Sequence, residues 1–330
     1  MKQNIALVAG GFSGEYEVSI KSCKTIESNL DSEKYNIYKI LITKEAWWYE
    51  TKEGDRIDVD KNDFSLTLKD SKIHFDLVFI GIHGTPGEDG KLQGYFDMLG
   101  IPYTGCNNIV SSLTFNKGFC NKVLKTHNIV NIARSVVIYH NIPYTLGVIL
   151  EQVKLPVFVK PNESGSSLGV SKVTRLEELV PAIEKAFAED KQVIIEEYIE
   201  GREFSIGVYS HNGKVTVLPP TEIISKKEFF DYEAKYTTGV TDEITPAVLD
   251  KDVLTKMRHK TAAIYQALNC FGIVRLDYIL NRHDGELYFL EVNTTPGQSD
   301  NSLIPQQVRA AGMTLKEFYQ IIVDEAFNRK

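Results

Sequence analysis

The stretch VRLDYILNRHDGELYFLEVNTTPG, residues 274–297, constrains the fold more than any other, because two alternating apolar runs flank an Asp-Gly dipeptide in the pattern of a β-hairpin. With the turn centred near Asp284, mirror pairing sets Asp277 opposite Glu291 and Arg275 opposite Asn293. Side chains alternate with period two along a strand, so these four residues share one face, while Val274, Leu276, Tyr278, Leu290 and Val292 share the other. Two facing carboxylates repel and weaken a ladder unless a cation lies with them. Asp277, Glu291 and Asn293 offer only oxygen ligands, a set suited to a hard ion such as Mg²⁺ or Mn²⁺. The same residues also suit a solvated hairpin face on which Arg275 neutralises Asp277.

A chain of 330 residues is too long for one small core and predicts two or three domains. Its 43% hydrophobic and 25% charged residues are ordinary for a globular protein. A net charge of −7 argues against a nucleic-acid or anionic-membrane surface, so anion binding is to be sought in a local lysine cluster. Cys23, Cys106, Cys120 and Cys270 form no CxxC, which points away from a zinc site or a disulfide framework and fits a reducing cytoplasm. The run Ile5 to Ala9 is too short for a signal-peptide core, and no apolar stretch approaches membrane-spanning length. The expectation is a cytoplasmic, unprocessed chain.

From Asn4 to about Gly105 the order is strand (IALVAGG), helix through Leu30, strand (YNIYKILIT) and strand (FDLVFIGI), which predicts a parallel α/β unit over residues 1–105. Residues 106–195 begin with a helix holding Lys117 and Lys122. They continue through LPVFVKP, a Gly-Ser loop, LGVSKV, a helix at 176–189 and QVIIEEYI, which reads as a smaller α+β unit. Residues 196–330 give EFSIGVYS, KVTVLPP, a long FFDYEAKYTTGVTDEITP segment, a helix near 250–269, the opening hairpin and a C-terminal amphipathic helix. This third unit is predicted to be mainly antiparallel.

Several segments carry residue types that do chemistry. FVKPNESGSSLGVSKV, residues 158–173, sets Lys160 before a loop of small residues whose amides can face phosphate oxygens; a hairpin tip with a solvated lysine fits equally. The lysine precedes the glycines, so this is not a Walker A loop. VIIEEYIEGREF, residues 193–204, could offer backbone groups to an adenine edge and a carboxylate to ribose, although a charged strand end turning at Gly201 accounts for it too. VAGGFSGEYEVS, residues 8–19, lacks the GxGxxG spacing, which disfavours a dinucleotide site. Its Glu15 is either a first-turn acid favoured by the helix dipole or a partner for an ammonium group. GIHGTPGEDG, residues 81–90, sets His83 at a strand's carboxyl end before a loop too glycine-rich to be only a connector. FFDYEAKYTTG, residues 229–239, reads as a lid or as a packed surface loop.

Taken in order, GGFSGEYEVS, HGTPGEDGKLQGYFDMLGIPYTG, FVKPNESGSS, EEYIEGREF, FFDYEAKY, VRLDY and LEVNTTPG resemble the D-alanine–D-alanine ligase family of the ATP-grasp superfamily nearly end to end. The resemblance implies an ATP-grasp architecture, an N-terminal parallel α/β domain followed by two ATP-grasp subdomains. It also implies ATP-dependent joining of two D-alanines through an acyl phosphate for peptidoglycan synthesis. Asp277, Glu291 and Asn293 match the ligands of Mg²⁺ or Mn²⁺, two ions being implied. Lys117, Lys160 and the lid's Lys235 match lysines facing ATP phosphates, and Glu196, Glu197, Ile199 and Glu203 match the adenine and ribose contacts. Glu15 matches a contact to the first D-alanine's ammonium through a network with Ser166 and Tyr236, and His83 a further first-substrate contact. Ser302 and Leu303 resemble the holders of the second carboxylate, while Arg275 and the Gly297 amide are implied as oxyanion donors. The family also implies a homodimer, with D-alanine and ATP as its small-molecule partners.

The chain departs from the family pattern at Tyr16, where arginine is common, at Asn116, where aspartate is frequent, and at Glu197, where lysine is usual. In GQSDNSL, residues 297–303, the usual hydrophobic-Thr pair is missing beside the second-substrate pocket. The close rival is therefore a D-alanine–D-lactate or D-alanine–D-serine ligase, against which Tyr236 in EAKY argues by resemblance. A nucleotide-binding sensor would have little need of Arg275 beside the metal set, and a small-molecule kinase would release a stable phosphorylated product.

Overall fold

Ile5 to Ala9 are apolar without alternation and all fully buried, the signature of a central strand covered on both faces. In the computed structural model, which describes residues 2–165, 168–225 and 241–329, this strand is β1 (Gln3–Gly10). It is flanked in parallel by β2 (Tyr35–Ile42). Trp47–Glu50 (β3) and Arg56–Asp58 (β4) extend that edge antiparallel, while Leu66–Leu68 (β5) and Ser71–Ile73 (β6) pair as a separate ribbon. Leu77–Ile80 (β7) lies parallel to β1 on its other side, giving the order β4-β3-β2-β1-β7. The parallel expectation thus holds for β2, β1 and β7 and fails at the β3–β4 edge, where the sheet is mixed. Helix α1 (Tyr16–Asn29) packs on β1, and α2 (Lys91–Leu99) follows the glycine-rich loop after β7.

Helices α3 (Asn108–Phe115) and α4 (Lys117–His127) are separated by Asn116, whose side chain accepts from Phe119 N–H and so starts α4 at Lys117. After Asn131–Ile132 (β8), the second sheet forms from Ser135–Tyr139 (β9), Val157–Pro161 (β10), Ser171–Val173 (β11) and Gln192–Glu197 (β12), in the order β11-β10-β12-β9 and antiparallel throughout. Helix α5 (Leu146–Gln152) and helix α6 (Leu179–Phe187) cover it; in α6 Leu179, Ala182, Ile183 and Ala186 recur at helical spacing and are all buried.

The third sheet contains Gly201–His211 (β13), Lys214–Val217 (β14), Thr221–Ser225 (β15), Thr241–Ile244 (β16), Ile273–Asn281 (β17) and Leu287–Asn293 (β18). Its order is β16-β15-β13-β17-β18-β8, with β14 beside β13, and among the described strands of this sheet only the β18–β8 pair is parallel. Helix α7 (Lys251–Ala267) covers one face, where Cys106, Val110, Cys120, Leu124 and Val130 of the preceding helical segment share a core with Phe204, Ile206, Val274 and Leu276.

The other face is covered by α8 (Leu303–Ala310) and α9 (Leu315–Phe327). Their buried residues form one core with Tyr209 and Ile273 of the third sheet and with Ile5, Leu7 and Phe79 of the first. Phe318 stands edge-on to Tyr209 at 5.5 Å, and Tyr319 edge-on to Phe79 at 6.0 Å. These helices therefore set the spacing between the two sheets. Among the described residues, no helix is long and apolar enough to cross a membrane. Phe318→Ala, which empties the middle of this core, is expected to cost about 3–5 kcal/mol, measured as a lowered urea midpoint.

Candidate active site

The hairpin register is the one its sequence dictates near the strand ends: Arg275 pairs with Asn293 and Asp277 with Glu291. Beyond Asp277 the ladder shifts by one residue, so Tyr278 faces Phe289 and Leu280 faces Leu287, with the chain turning over Arg282–Gly285. Leu290 is the extra residue of this bulge. It was expected on the core face but is only half-buried, and Phe289 and Leu287 fill the core instead. Glu291 consequently keeps the face it shares with Asp277.

Asp277 is buried among donors. Arg275 reaches it through Nε at 2.9 Å and Nη2 at 2.8 Å; Asn293 Nδ2 donates at 3.1 Å, and Ser205 Oγ, opposite on β13, at 2.5 Å. The bidentate ion pair of the simpler hairpin reading is thus present, yet the face is not a solvated one, since the Arg275 and Asp277 side chains are only 18% and 8% exposed. Burial opposes the charge on Arg275, but Asp277, then Glu291 and Glu88, outweigh it and raise its pKa.

Two lysines approach from the second sheet and α4. Lys117 Nζ lies 3.5 Å from Glu291 Oε2 and donates to the Ser164 carbonyl at 2.7 Å. Lys160 Nζ meets Glu196 Oε2 at 2.5 Å, and Asn121 Nδ2 holds the other oxygen of Glu196 at 2.9 Å. Burial disfavours the Lys160 charge, yet Glu196, Glu291 and Glu203 together keep its pKa above the ordinary lysine value. Glu203 and Ile199 are half-buried on this side. Glu197, by contrast, accepts from Arg134 N–H at 2.8 Å and so serves the junction with β9.

The Gly-Ser loop reaches across to the first sheet. A Cβ on Gly165 would stand 2.7 Å from Glu15 Oε2, and one on Gly84 3.0 Å from the same oxygen. Both positions must be bare for the loops to close on Glu15, the residue preceding α1. The chain here therefore brings Glu15, Gly84 and Gly165 together from three segments. Ser166, Lys235 and Tyr236 lie outside the described residues.

His83 is buried, and both ring nitrogens are engaged. Nδ1 lies 2.7 Å from the Thr295 carbonyl, which can only accept, so Nδ1 carries the proton and Nε2 accepts from Ser22 Oγ at 2.9 Å. Burial lowers its pKa and favours this neutral ring. Ser22 in turn accepts from Gln298 N–H at 3.1 Å, and Gln298 Oε1 from the Tyr319 hydroxyl at 3.2 Å. Ser302 precedes α8 with its hydroxyl 2.6 Å from that of Ser299, Leu303 opens the helix, and a Cβ on Gly297 would press on Ser302 Oγ at 3.0 Å.

Residues that the sequence reading passed over are Ser22, Glu88, Asn121, Ser205 and Thr295. Glu88 lay in plain view in the GEDG run, where the signal was an acid inside a glycine-rich loop. Among the described residues no group of three His, Cys, Asp or Glu side chains gathers into a metal site, as the hairpin set holds two carboxylates and an amide. Its all-oxygen chemistry fits a hard divalent ion.

Burial, with Glu15 adding to it, pushes the Glu88 carboxyl up to about 7, against the pull of its two amide donors and Arg275. An unfolded glutamate releases its proton near 4.5, so between these values the folded chain binds the extra proton, and stability falls as pH rises. Glu88→Gln removes that contribution. The drop in urea midpoint from about pH 5 to about pH 8 is expected to be smaller than in the parent chain; an equal drop would contradict the assignment.

Models described as D-ala D-ala ligase N-terminus and D-ala D-ala ligase C-terminus match residues 4–106 and 133–324. The D-alanine–D-alanine ligase of Parabacteroides distasonis is 47% identical over 331 residues, covering 100% of this chain and 99% of that protein. That of Phocaeicola vulgatus is 45% identical over 327 residues, 99% of this chain and 100% of the other. Among solved structures, D-alanyl-alanine synthetase A from Vibrio cholerae superimposes with a TM-score of 0.88 at 28% identity, covering 99% of each chain. A D-Ala:D-Ser ligase from Enterococcus faecalis superimposes at 0.87 with 31% identity, covering 99% of this chain and 100% of that one. The D-alanine–D-alanine ligase of Bacillus anthracis complexed with ATP gives 0.78 at 29% identity, covering 99% of this chain and 98% of that one.

Proposed function

The chain belongs to the D-alanine–D-alanine ligase family, and we propose a division of labour among its residues for joining two D-alanines with ATP through an acyl phosphate. It is an ATP-dependent ligase that makes the dipeptide for peptidoglycan synthesis. The observation carrying the residue roles is the shared face of Arg275, Asp277, Glu291 and Asn293 beside Lys117 and Lys160. The alternative second substrates, D-serine and D-lactate, are less supported, since the full-length relatives at 44–47% identity are named for D-alanine.

In this reading ATP lies between the second and third sheets. Glu196, Ile199 and Glu203 border its adenine and ribose. Lys117 and Lys160 leave Glu291 and Glu196 to face phosphate oxygens, with Lys235 as a third cation. Glu197 is a weaker member of this set because its carboxylate already holds Arg134 N–H. Asp277, Glu291 and Asn293 would hold Mg²⁺ or Mn²⁺, which when bound neutralises the phosphoryl group being transferred. Glu15, in a network with Ser166 and Tyr236, takes the ammonium of the first D-alanine. Positioned so, that substrate's carboxylate attacks the terminal phosphorus and ADP leaves. The amine of the second D-alanine, its carboxylate at Ser302 and Leu303, then attacks the acyl carbon and phosphate departs. The start of α8 offers unsatisfied amides and a favourable potential to that carboxylate.

Arg275 donates to the oxyanion of the tetrahedral intermediate, with Gly297 N–H as second donor. His83, whose two nitrogens are occupied, meets the substrate only by its ring edge or acts through Thr295. The division into 1–105, 106–195 and 196–330, a homodimeric assembly and a cytoplasmic location belong to the same proposal.

The reading is tested by incubating the protein with ATP, Mg²⁺ and D-alanine and measuring phosphate and dipeptide, with L-alanine as control. D-alanine is expected to release phosphate and dipeptide together and chelation of the metal to stop both; equal release with L-alanine defeats the proposal. Arg275→Ala is expected to lower turnover at saturating ATP by about 10²–10³. An unchanged rate removes the side chain from the mechanism.

A further inference from the structure

We propose that Glu88 is a positioning residue for the ligation: it fixes Thr295, and so the segment from Asn293 to Gly297, against the loop beside Glu15. The inference rests on the ligase reading and assigns a residue that reading does not use.

Thr295 is gripped at all three of its polar groups by residues 83–88. Its N–H donates to Glu88 Oε1 at 2.9 Å, its carbonyl accepts from His83 Nδ1 at 2.7 Å, and its hydroxyl donates to the Gly87 carbonyl at 3.4 Å. Glu88 also closes its own loop. Its Oε2 accepts from Gly84 N–H at 2.8 Å while its backbone N–H donates to the Gly84 carbonyl at 2.7 Å. One carboxylate therefore ties two amides, one on each side of the crevice.

The two ends of this tie are the places where chemistry is assigned. Gly84 packs on the Glu15 carboxylate, while Thr295 sits two residues after Asn293 and two before Gly297. Displacing Thr295 moves the oxyanion donor relative to the first substrate, and a shift of an ångström is enough to cost a large factor in rate. The carboxylate is costly to bury, since Glu15 stands near it and only the two amides and Arg275 favour its charge. A leucine in this space would leave both amides without an acceptor, and a glutamine would leave one. The carboxylate joins both sides of the crevice because its two oxygens accept from both amides at once.

Glu88→Gln keeps the shape but leaves one amide facing an NH₂ group. Glu88→Asp keeps the charge and shortens the reach. Each variant is assayed with Mg²⁺-ATP and D-alanine beside the parent chain, with melting temperature recorded. Glu88→Gln is expected to lose on the order of 10²-fold in kcat and to raise the KM for D-alanine, with the KM for ATP within about twofold. Glu88→Asp is expected to recover part of that loss. Rates and D-alanine KM within about twofold of the parent in both variants overturn the proposal, as does a loss in which the ATP KM and the melting temperature change in step, the mark of a merely structural role. If Glu88→Gln does not fold, the same split read on Glu88→Asp decides the matter. A parent chain inactive with D-alanine would instead defeat the ligase reading itself.

Discussion

The structure is organised around carboxylates that cannot be left to themselves. Asp277, Glu291, Glu196 and Glu203 converge where the second and third sheets meet, with little water to screen them, and Arg275, Lys117 and Lys160 supply the opposing charge. Replacing such pairs by apolar residues is commonly neutral or stabilising, so stability alone does not explain their presence. A triphosphate with divalent ions explains it better. In the proposed complex the lysines would exchange a carboxylate for phosphate and the carboxylates a lysine for metal, which would keep the local charge in balance.

This balance depends on backbone precision. The bulge at Leu290 lets the hairpin bury Phe289 and Val292 while leaving Glu291 on the side of Asp277. Ser205 on the neighbouring strand completes the shell around Asp277, and Gln307 of α8 pins that strand by accepting from Gly207 N–H at 2.7 Å and donating to the Ser205 carbonyl at 3.0 Å. Side chains held by packed strands in this way hold their direction when the ligand arrives.

Local patterns announced the central features. Period-two alternation around Asp-Gly gave the pairing of Asp277 with Glu291, and helical spacing gave α6 and α9. The bulge was hidden because Phe289 and Leu290 are adjacent and both apolar, so either could serve the core. The short strands β3 to β6 were hidden because they are three or four residues long and separated by charged turns. Glu88 was missed for a different reason: its partner Thr295 is 207 residues away, and no periodicity links them. The Lys160–Glu196 contact likewise depends on β10 and β12 lying side by side, which neither segment specifies alone. The family resemblance supplied the roles of Ser166, Lys235 and Tyr236.

The last helix has a bearing on how the chain matures. Leu315 to Ala326 complete the apolar layer beneath β1 and β7, and Arg329 closes on the Tyr103 and Gly105 carbonyls at the exit of the first unit. During synthesis the amino-terminal sheet thus emerges with this side covered only by α1 and waits for nearly the entire message to be read before the rest of its cover arrives. Its early residence on the ribosome is the interval in which a chaperone has something to hold.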